Sequence, residues 1–189
     1  MTRQRILRAA AGLLESEGDD GITYKRVAAL AGVTEMTAYR HFPSREELLK
    51  GLWEHLNARM DPGIGLPDTA ERLYAQHRAL FEGFDRIPAQ ILASLTTSHG
   101  REMRSVIDAE RREAFLAIAA EVAPNADAAA RRRVAGIVQL LHSAYAWLSL
   151  REQWGMAGDE AADATRWAIE TLLAAHAAPI VERKKDSSP

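Results

Sequence analysis

The chain has 189 residues, 47% of them hydrophobic, and no cysteine. This composition favours a folded core in one or two domains, and it excludes disulfides, thiolate-zinc sites and cysteine nucleophiles. The net charge of −2 argues against a general nucleic-acid-binding surface, yet residues 1–50 carry eight lysines and arginines against seven acidic residues. No apolar run resembles a signal peptide or a membrane span, so we expect a cytoplasmic protein.

The first 32 residues predict two helices. Apolar residues recur on one face of the first helix, which stops at the glycine- and aspartate-rich stretch 17–21. These apolar positions are Ile6, Leu7, Ala10, Leu13 and Leu14. Thr23 has the side chain to cap a short second helix over 24–31, and Gly32 is a suitable residue to end it.

A third helix is predicted from Glu35 to about His41, with Thr34 as its cap. Phe42 precedes a proline and is therefore pushed away from helical geometry, which ends the helix. The short connection between the second and third helices fits a helix-turn-helix unit. Ser44 then opens a capping-box pattern, which predicts a fourth helix reaching about residue 60.

Polar side chains are concentrated on the third helix of this unit. Near its N-terminus, Glu35, Met36 and Thr37 could reach base edges, while Thr37, Tyr39, His41 and Arg45 could hold phosphates. Glu35 has an alternative role, because a carboxylate in the first turn also stabilises a helix. Tyr39 and Phe42 could instead fill the small core.

Residues 3–53 resemble the DNA-binding domain of the TetR family of transcriptional repressors, through the segments ILRAAAGLL, ITYKRVAALAGVTEMTAYRHF and SREELL. Met36 and Ala38 depart from the commonest family pattern, which bears on base preference and on packing under the third helix. The resemblance, with the cap and helix assignments above, predicts DNA contacts at Thr23, Tyr24, Lys25, Thr34, Glu35, Met36, Thr37, Tyr39, Arg40, His41 and Arg45.

The rest of the chain predicts further helices and an all-α fold of about nine helices. After a proline- and glycine-rich break at 62–67, Asp68 and Glu71 form a cap pair for the next helix. Later helices are expected from Pro88 to about residues 98–100, and over 102–122, 127–153 and 159–178. We expect a DNA-binding domain at 1–50, an effector-binding and dimerisation domain at 51–180, and a disordered tail at 181–189.

The predicted helix over 127–153 is apolar on more than one side, which implies more than one packing partner. The family resemblance implies a homodimer formed by the last two helices. The residues assigned to this interface are Leu140, Trp147, Trp167, Ile169 and Leu172. The alternative is that they complete a monomeric core.

Polar side chains on otherwise apolar helix faces predict a small-molecule site in the larger domain. Its candidate residues are His77, Phe81, Met103, Ile107, Leu141, His142 and Tyr145. No cluster of carboxylates or arginines is expected to face it, so the expected ligand is apolar or aromatic with one or two hydrogen-bonding groups, without a metal or cofactor. The alternative is that the histidines and Tyr145 are core residues.

No catalytic motif is evident, since the six histidines are scattered and neither a metalloprotease motif nor a phosphate-binding loop occurs. The resemblance implies a ligand-responsive regulator, a repressor, which binds a palindromic operator as a homodimer. Ligand binding would move the fourth helix and release the DNA. A helical adaptor that binds protein rather than DNA is the alternative.

Overall fold

The computed structural model describes residues 1–15 and 21–177, and these residues form helices only. The predicted tail at 181–189 lies outside them. No helix among the described residues is long and apolar enough to cross a bilayer. The helices are α1 (Thr2–Glu15), α2 (Tyr24–Ala31), α3 (Glu35–His41), α4 (Arg45–Met60), α5 (Ala70–Arg86), α6 (Pro88–Thr96), α7 (Ser98–Ser105), α8 (Asp108–Val122), α9 (Ala128–Leu141), α10 (Ala144–Trp154) and α11 (Gly158–Ala177).

Three side-chain caps set the start of α2, α3 and α4, as the sequence predicts. The hydroxyls of Thr23, Thr34 and Ser44 each accept a hydrogen bond from the backbone N–H three residues later. Each such cap stabilises its helix by roughly 1 kcal/mol. Gly32 ends α2 in the left-handed conformation, with φ of 62°, which a residue with a Cβ adopts at a cost.

Helix α4 packs against helices on both sides of the predicted division at residue 50. Leu48, Leu49 and Leu52 are buried against the N-terminal helices, and Leu56 and Met60 extend the same cluster toward α5. Gly83 makes the second contact possible, because a Cβ there would lie 2.6 Å from Cβ of Met60. One continuous apolar core therefore joins α1–α4 to α5, α6, α10 and the start of α11.

Two predicted long helices are each interrupted, which raises the helix count from about nine to eleven in the described residues. The predicted helix over 102–122 breaks at Ile107, whose side chain is fully buried. The predicted helix over 127–153 breaks at His142, after which the Ser143 hydroxyl caps α10. Neither break contains glycine or proline, so local sequence gave no sign of it.

Two other predicted boundaries also differ. The cap of α5 is Thr69 rather than the predicted pair of Asp68 and Glu71, and Asp68 instead forms an ion pair with Arg72. Residues 98–100, predicted to end a helix, begin α7, because the Thr97 hydroxyl accepts from the N–H of Gly100.

Trp147 and Ile169 were assigned to the subunit interface, and their burial corrects that assignment. Trp147 is 1% exposed and packs in the main core, while Ile169 is fully buried in a second cluster formed by α5, α8, α9 and α11. These two side chains already have their partners inside one chain, so they offer no surface to a second copy.

Asp85 joins three helices through one carboxylate. Its Oδ1 accepts from the indole N–H of Trp147 at 2.9 Å and from Arg151 at 2.7 Å. Its Oδ2 accepts from the backbone N–H of Gly158, the first residue of α11, at 2.7 Å. A carboxylate at a helix N-terminus satisfies a free backbone donor and opposes the positive end of the helix dipole.

Three buried polar side chains, those of His142, His77 and Thr165, form a row of hydrogen bonds inside the protein. Nδ1 of His77 lies 2.7 Å from Nδ1 of His142, and Nε2 of His77 lies 2.8 Å from the hydroxyl of Thr165. That hydroxyl donates to the carbonyl of Ala161, so it accepts from His77 Nε2–H. His77 Nδ1 must then accept the proton of His142 Nδ1, which fixes both rings as neutral tautomers.

This histidine pair makes stability dependent on pH. Burial lowers the pKa of His77 from 6.5 to about 4 and that of His142 to about 3. Because the unfolded chain binds these protons more readily, the contribution of the two histidines to stability is complete above pH 6.5. It is lost as pH falls toward the pKa values of the folded state.

We expect His142→Gln, which retains an N–H donor for His77, to reduce the loss of unfolding free energy between pH 7 and pH 5 by up to about 2 kcal/mol.

Urea unfolding at several pH values between 7 and 5 measures this difference. The matched control is His41→Gln, at an exposed position. Equal pH dependence in wild type and His142→Gln would show that the pair does not control stability.

Candidate functional site

A groove on the surface of the N-terminal helices brings together six of the residues predicted to contact DNA. It lies between the N-termini of α2 and α4 and one side of α3. The groove is lined by Thr23, Tyr24, Lys25, Glu35, Tyr39, Pro43, Ser44 and Arg45. Free backbone N–H groups at helix N-termini attract anions, so the two helix starts and Lys25 favour a phosphate here.

Tyr24 and Tyr39 form the base of this groove. Their rings stack with centroids 3.9 Å apart and an interplanar angle of 13°. The hydroxyl of Tyr24 donates to the carbonyl of Phe42 at 2.6 Å, and burial raises its pKa. Tyr24 therefore fixes α2 against the end of α3, and Tyr39 is held in place while remaining 44% exposed. Phe42 is buried, as the alternative interpretation of the sequence expected.

The outward side of α3 is exposed over its whole length. Glu35, Met36, Arg40 and His41 are all exposed, and Met36 is 70% accessible. The Thr37 hydroxyl is less available for contact with DNA, because it lies 2.9 Å from the Thr34 hydroxyl. The backbone N–H of Thr37 also donates to that Thr34 hydroxyl. An exposed helix with a polar and a flexible apolar side chain in its first turn has the form needed to enter a major groove.

Arg45 is engaged by the rest of the molecule rather than free at the surface. Its guanidinium makes two bonds of 2.5 Å to the carboxylate of Glu102 on α7 and a third to the carbonyl of Ile22. The hydrogen bond with Glu102 raises the pKa of Arg45, and the same bond lowers the pKa of Glu102. A residue predicted to hold phosphate thus links α4 to the larger part of the chain.

A second ion pair reinforces this link one turn further along α4. Lys50 lies 2.5 Å from a carboxylate oxygen of Glu110 on α8. The hydrogen bond to Glu110 raises the pKa of Lys50. Both pairs are partly exposed, so each contributes no more than about 1 kcal/mol and is weakened by salt. Their main effect is positional, because they fix α4 against α7 and α8.

A cleft with a cavity volume of about 90 Å³ opens beside the C-terminal half of α4. It is bounded by α4, the 64–67 segment, α5, α6, α7, α8 and the junction of α9 with α10. Its lining consists of Trp53, Leu56, Asn57, Met60, Ile64, Gly65, Leu66, Pro67, Leu80, Phe84, Ile91, Met103, Arg104, Arg111, Phe115, Gln139, His142, Ser143 and Ala144. A mostly apolar lining with a few polar groups is typical of small-molecule sites.

Two of the seven residues predicted to bind ligand, Met103 and His142, line this cleft. His77 lies behind His142 in the core, and Phe81 and Ile107 are fully buried outside the lining. The other two, Leu141 and Tyr145, border a different groove on the outer surface.

The sequence predicts no cluster of arginines facing the ligand site, and the lining of this cleft differs from that expectation. Arg104 on α7 and Arg111 on α8 both lie in the cleft wall. Their separation of seven residues would place them on one face of a continuous helix, which is the signal that sequence reasoning missed. The helix break between them leaves both side chains in the same wall.

An apolar surface runs along α9, α10 and α11. Ile137 and Leu140 are each 49% exposed, and Trp167 is 70% exposed. Leu172 is half-buried and packs on the second core cluster. The adjacent groove has a volume of about 360 Å³ and is lined by Leu140, Leu141, Tyr145, Ala146, Ser149, Leu150, Ala164, Thr165 and Ala168. Exposed apolar patches of this kind mark interaction surfaces.

Comparison with known proteins agrees with the helix-turn-helix. Residues 6–52 match the family model described as bacterial regulatory proteins, tetR family. The nucleoid occlusion factor SlmA of Photobacterium profundum is 34% identical over 103 residues, which cover 51% of this chain and 52% of that protein. SlmA of Idiomarina loihiensis is 44% identical over 91 residues, covering 46% of each. The chain thus spans about half the length of these curated relatives.

A solved structure shows a similar fold over nearly the whole chain. The crystal structure of NalD from Pseudomonas aeruginosa, described as the secondary repressor of the MexAB-OprM multidrug efflux pump, superimposes with a TM-score of 0.62. The superposition covers 90% of this chain and 94% of NalD at 18% identity, so it shows a common fold only. With its capped helix-turn-helix at residues 24–41 and the family match over 6–52, the N-terminal part of this chain is the DNA-binding domain of the tetR family of bacterial regulatory proteins.

Proposed function

We propose that this chain is a cytoplasmic, ligand-responsive transcriptional repressor that binds a palindromic operator as a homodimer and is released by a small-molecule inducer. The observation that carries the proposal is the position of α4. One end of this helix forms the candidate DNA groove and the other end forms the wall of the cleft. A ligand in the cleft therefore touches the element that positions the DNA-binding surface.

The DNA contacts divide into two groups by position. Glu35 and Met36, in the first turn of α3, are the candidates for reading bases, since a carboxylate accepts from cytosine N4 and an apolar side chain contacts a thymine methyl. Thr23, Lys25, Tyr39, Arg40 and His41 surround that turn and are candidates for phosphate contact. Thr34, Thr37 and Tyr24 support them chiefly by holding the helix start and the groove base.

In the proposed switch, Arg45 can pair either with Glu102 or with a DNA phosphate. In the free chain its guanidinium is bound by Glu102, so a DNA phosphate must compete with that carboxylate. A ligand that shifts α7 or the C-terminal half of α4 alters the position of Arg45 and of α3. Only a difference in ligand affinity between the two arrangements can drive release.

The exposed surface of α9–α11 is the candidate dimer interface. Trp167, Leu140 and Ile137 supply the large apolar groups. Ala164 and Ala168, one turn apart on α11, let a second helix approach closely. A two-fold dimer through this surface presents two copies of α3 to two half-sites of the operator.

Nucleoid occlusion, the role for which the SlmA relatives are named, is the second candidate function. The identity to those proteins favours it, whereas the effector cleft favours a ligand-controlled repressor. Genome-wide occupancy separates the two. A repressor occupies one or a few promoters, while a factor that acts wherever the nucleoid lies requires sites distributed over the chromosome.

The first prediction from this proposal concerns the binding site. Selection from random duplex DNA should return an inverted repeat, because a two-fold dimer reads two equal half-sites. Glu35→Ala should relax preference at one position per half-site, by about 1–3 kcal/mol, whereas Lys25→Ala should weaken all sequences alike.

Exposed Arg112→Ala on α8 is the control for loss of charge. Failure to retard any duplex in a salt-dependent gel shift would favour the protein-binding adaptor instead. A Glu35→Ala effect that is uniform over all sequences would mean that Glu35 reads no base.

The second prediction tests competition for Arg45. Glu102→Gln keeps the shape of the side chain but removes its charge, so Arg45 should become more available to phosphate. We expect operator affinity to rise by about two- to fivefold at low salt. Fluorescence anisotropy with labelled operator measures it.

The matched control is Glu82→Gln, because the Glu82–Arg86 pair lies within α5 and has similar exposure. Lower affinity in Glu102→Gln would instead show that the ion pair positions Arg45 and α4 for DNA.

The third prediction concerns assembly. Trp167→Glu should convert the dimer to a monomer and lower operator affinity by at least about tenfold, because a charge replaces an aromatic group that the proposed dimer buries, and a monomer binds one half-site alone. Sedimentation velocity gives the oligomeric state. Trp154→Glu is the control, at a tryptophan of equal exposure, 73% against 70%, outside the α9–α11 groove. A dimer that survives Trp167→Glu but not Trp154→Glu would place the interface at the end of α10.

A further inference from the structure

The cleft carries two positive charges in a wall that is otherwise mainly apolar. Arg104 and Arg111 approach it from α7 and α8, on either side of the break at Ile107. The Arg111 side chain is only 13% exposed, although a guanidinium is always charged in proteins. Burial of this kind requires compensation by partners.

The partners inside the chain compensate these charges only in part. Arg111 pairs with Asp108 at 2.5 Å, but that carboxylate is 52% exposed, so solvent weakens its compensation of the buried charge. Arg104 makes no ion pair with any residue of 1–15 or 21–177. It lies over the ring of Tyr145, 4.9 Å from the centroid.

The two guanidinium groups also repel one another. Burial lowers the pKa of both arginines, and the charge of Arg104 lowers that of Arg111 further. The wall therefore holds two cations and one partly solvated anion. A second anion placed between the guanidinium groups would relieve both the repulsion and the incomplete pairing.

The remaining residues of the cleft lining indicate which chemical group is attached to this anion. Phe84, Phe115 and Trp53 offer ring faces, while Met60 and Ile91 supply flexible and branched apolar surface. An inorganic ion would leave this surface uncovered, whereas an apolar body attached to the anion would bury it. Guanidinium groups match carboxylates through two parallel hydrogen bonds.

We propose that the effector is an organic carboxylate with an apolar body, whose carboxylate lies between Arg104 and Arg111 and whose body lies against the aromatic wall of the cleft. This inference rests on the proposed function, since it names the ligand class of the effector site. It also specifies a carboxylate as the hydrogen-bonding group of the apolar or aromatic ligand expected from the sequence.

The same arginines give the ligand a route to the DNA-binding helices. Arg104 is two residues from Glu102 on the short helix α7, and Glu102 holds Arg45. Arg111 is adjacent to Glu110, which holds Lys50. A carboxylate that draws the two guanidinium groups together acts on both helices that anchor α4.

The test compares acids with matched alcohols on the DNA-free protein. Isothermal titration at fixed pH and salt uses two pairs of probes, 3-phenylpropionate with 3-phenylpropan-1-ol and decanoate with decan-1-ol. We expect at least one acid to bind about tenfold or more tightly than its alcohol, as two charge-assisted hydrogen bonds imply. Arg104→Gln or Arg111→Gln should remove that preference.

Exposed arginines on the same helices provide the controls. Arg101→Gln, one turn from Arg104, and Arg112→Gln, next to Arg111, make the same change of charge. Both variants should retain the preference for acid over alcohol. If a glutamine variant proves unfolded by circular dichroism, Arg104→Lys or Arg111→Lys keeps the charge without the fork and should weaken acid binding severalfold.

Three results would overturn the inference: alcohols that bind as tightly as their acids, an acid preference that survives both glutamine variants, or no binding of either acid at millimolar concentration. Operator binding is measured separately. Acid binding that leaves the operator complex intact would overturn the proposed induction and keep the ligand class, whereas intact operator binding without acid binding would overturn the ligand class alone.

Discussion

The apolar packing of α4 is the constraint on which the rest of the molecule depends. This helix buries leucines among α1–α3 with its first half and inserts Met60 against Gly83 of α5 with its second. Helices α1–α4 and much of the cleft wall consequently share one core rather than two cores joined by a linker. A rigid helix shared by two sites can transmit a displacement from one to the other without any change in its own hydrogen bonding.

The polar contacts around α4 divide into fixed and exchangeable ones. The pair of His77 with His142 is buried, so breaking it leaves buried polar groups unsatisfied, which costs about 1–3 kcal/mol each. Asp85 is 31% exposed, but it accepts the indole N–H of the buried Trp147, which would lose its partner in the same way. The pairs of Arg45 with Glu102 and Lys50 with Glu110 are half exposed, and water or another anion can replace either partner at little cost. The proposed switch would therefore exchange the ion pairs of α4 and leave the buried histidine pair in place.

Sequence reasoning predicted the N-terminal part well because that part is governed by local chemistry. Thr23, Thr34 and Ser44 act within three residues of themselves, and Gly32 acts on its own backbone. The breaks at Ile107 and His142 depend instead on partners distant in sequence, such as His77, 65 residues away from His142. For the same reason, Trp147 could not be recognised as a core residue without knowing that Asp85 meets its indole N–H. The DNA contacts themselves remain predictions, as do the domain boundary at residue 50 and the interface.

The bidentate pairing of Arg45 with Glu102 also bears on how salt would act on the DNA complex. A lysine or arginine that is free in solution displaces a condensed cation when it meets a DNA phosphate, and each such exchange steepens the fall of affinity with salt. Arg45 begins from a carboxylate, so when it transfers to phosphate, Glu102 is left to attract a cation from the medium. The ion displaced at the phosphate is balanced by the one taken up at Glu102. Phosphate contacts by Lys25 and Arg40 would therefore steepen the fall of DNA affinity with salt concentration. A phosphate contact by Arg45 would leave that slope unchanged, however close the guanidinium comes to the DNA backbone.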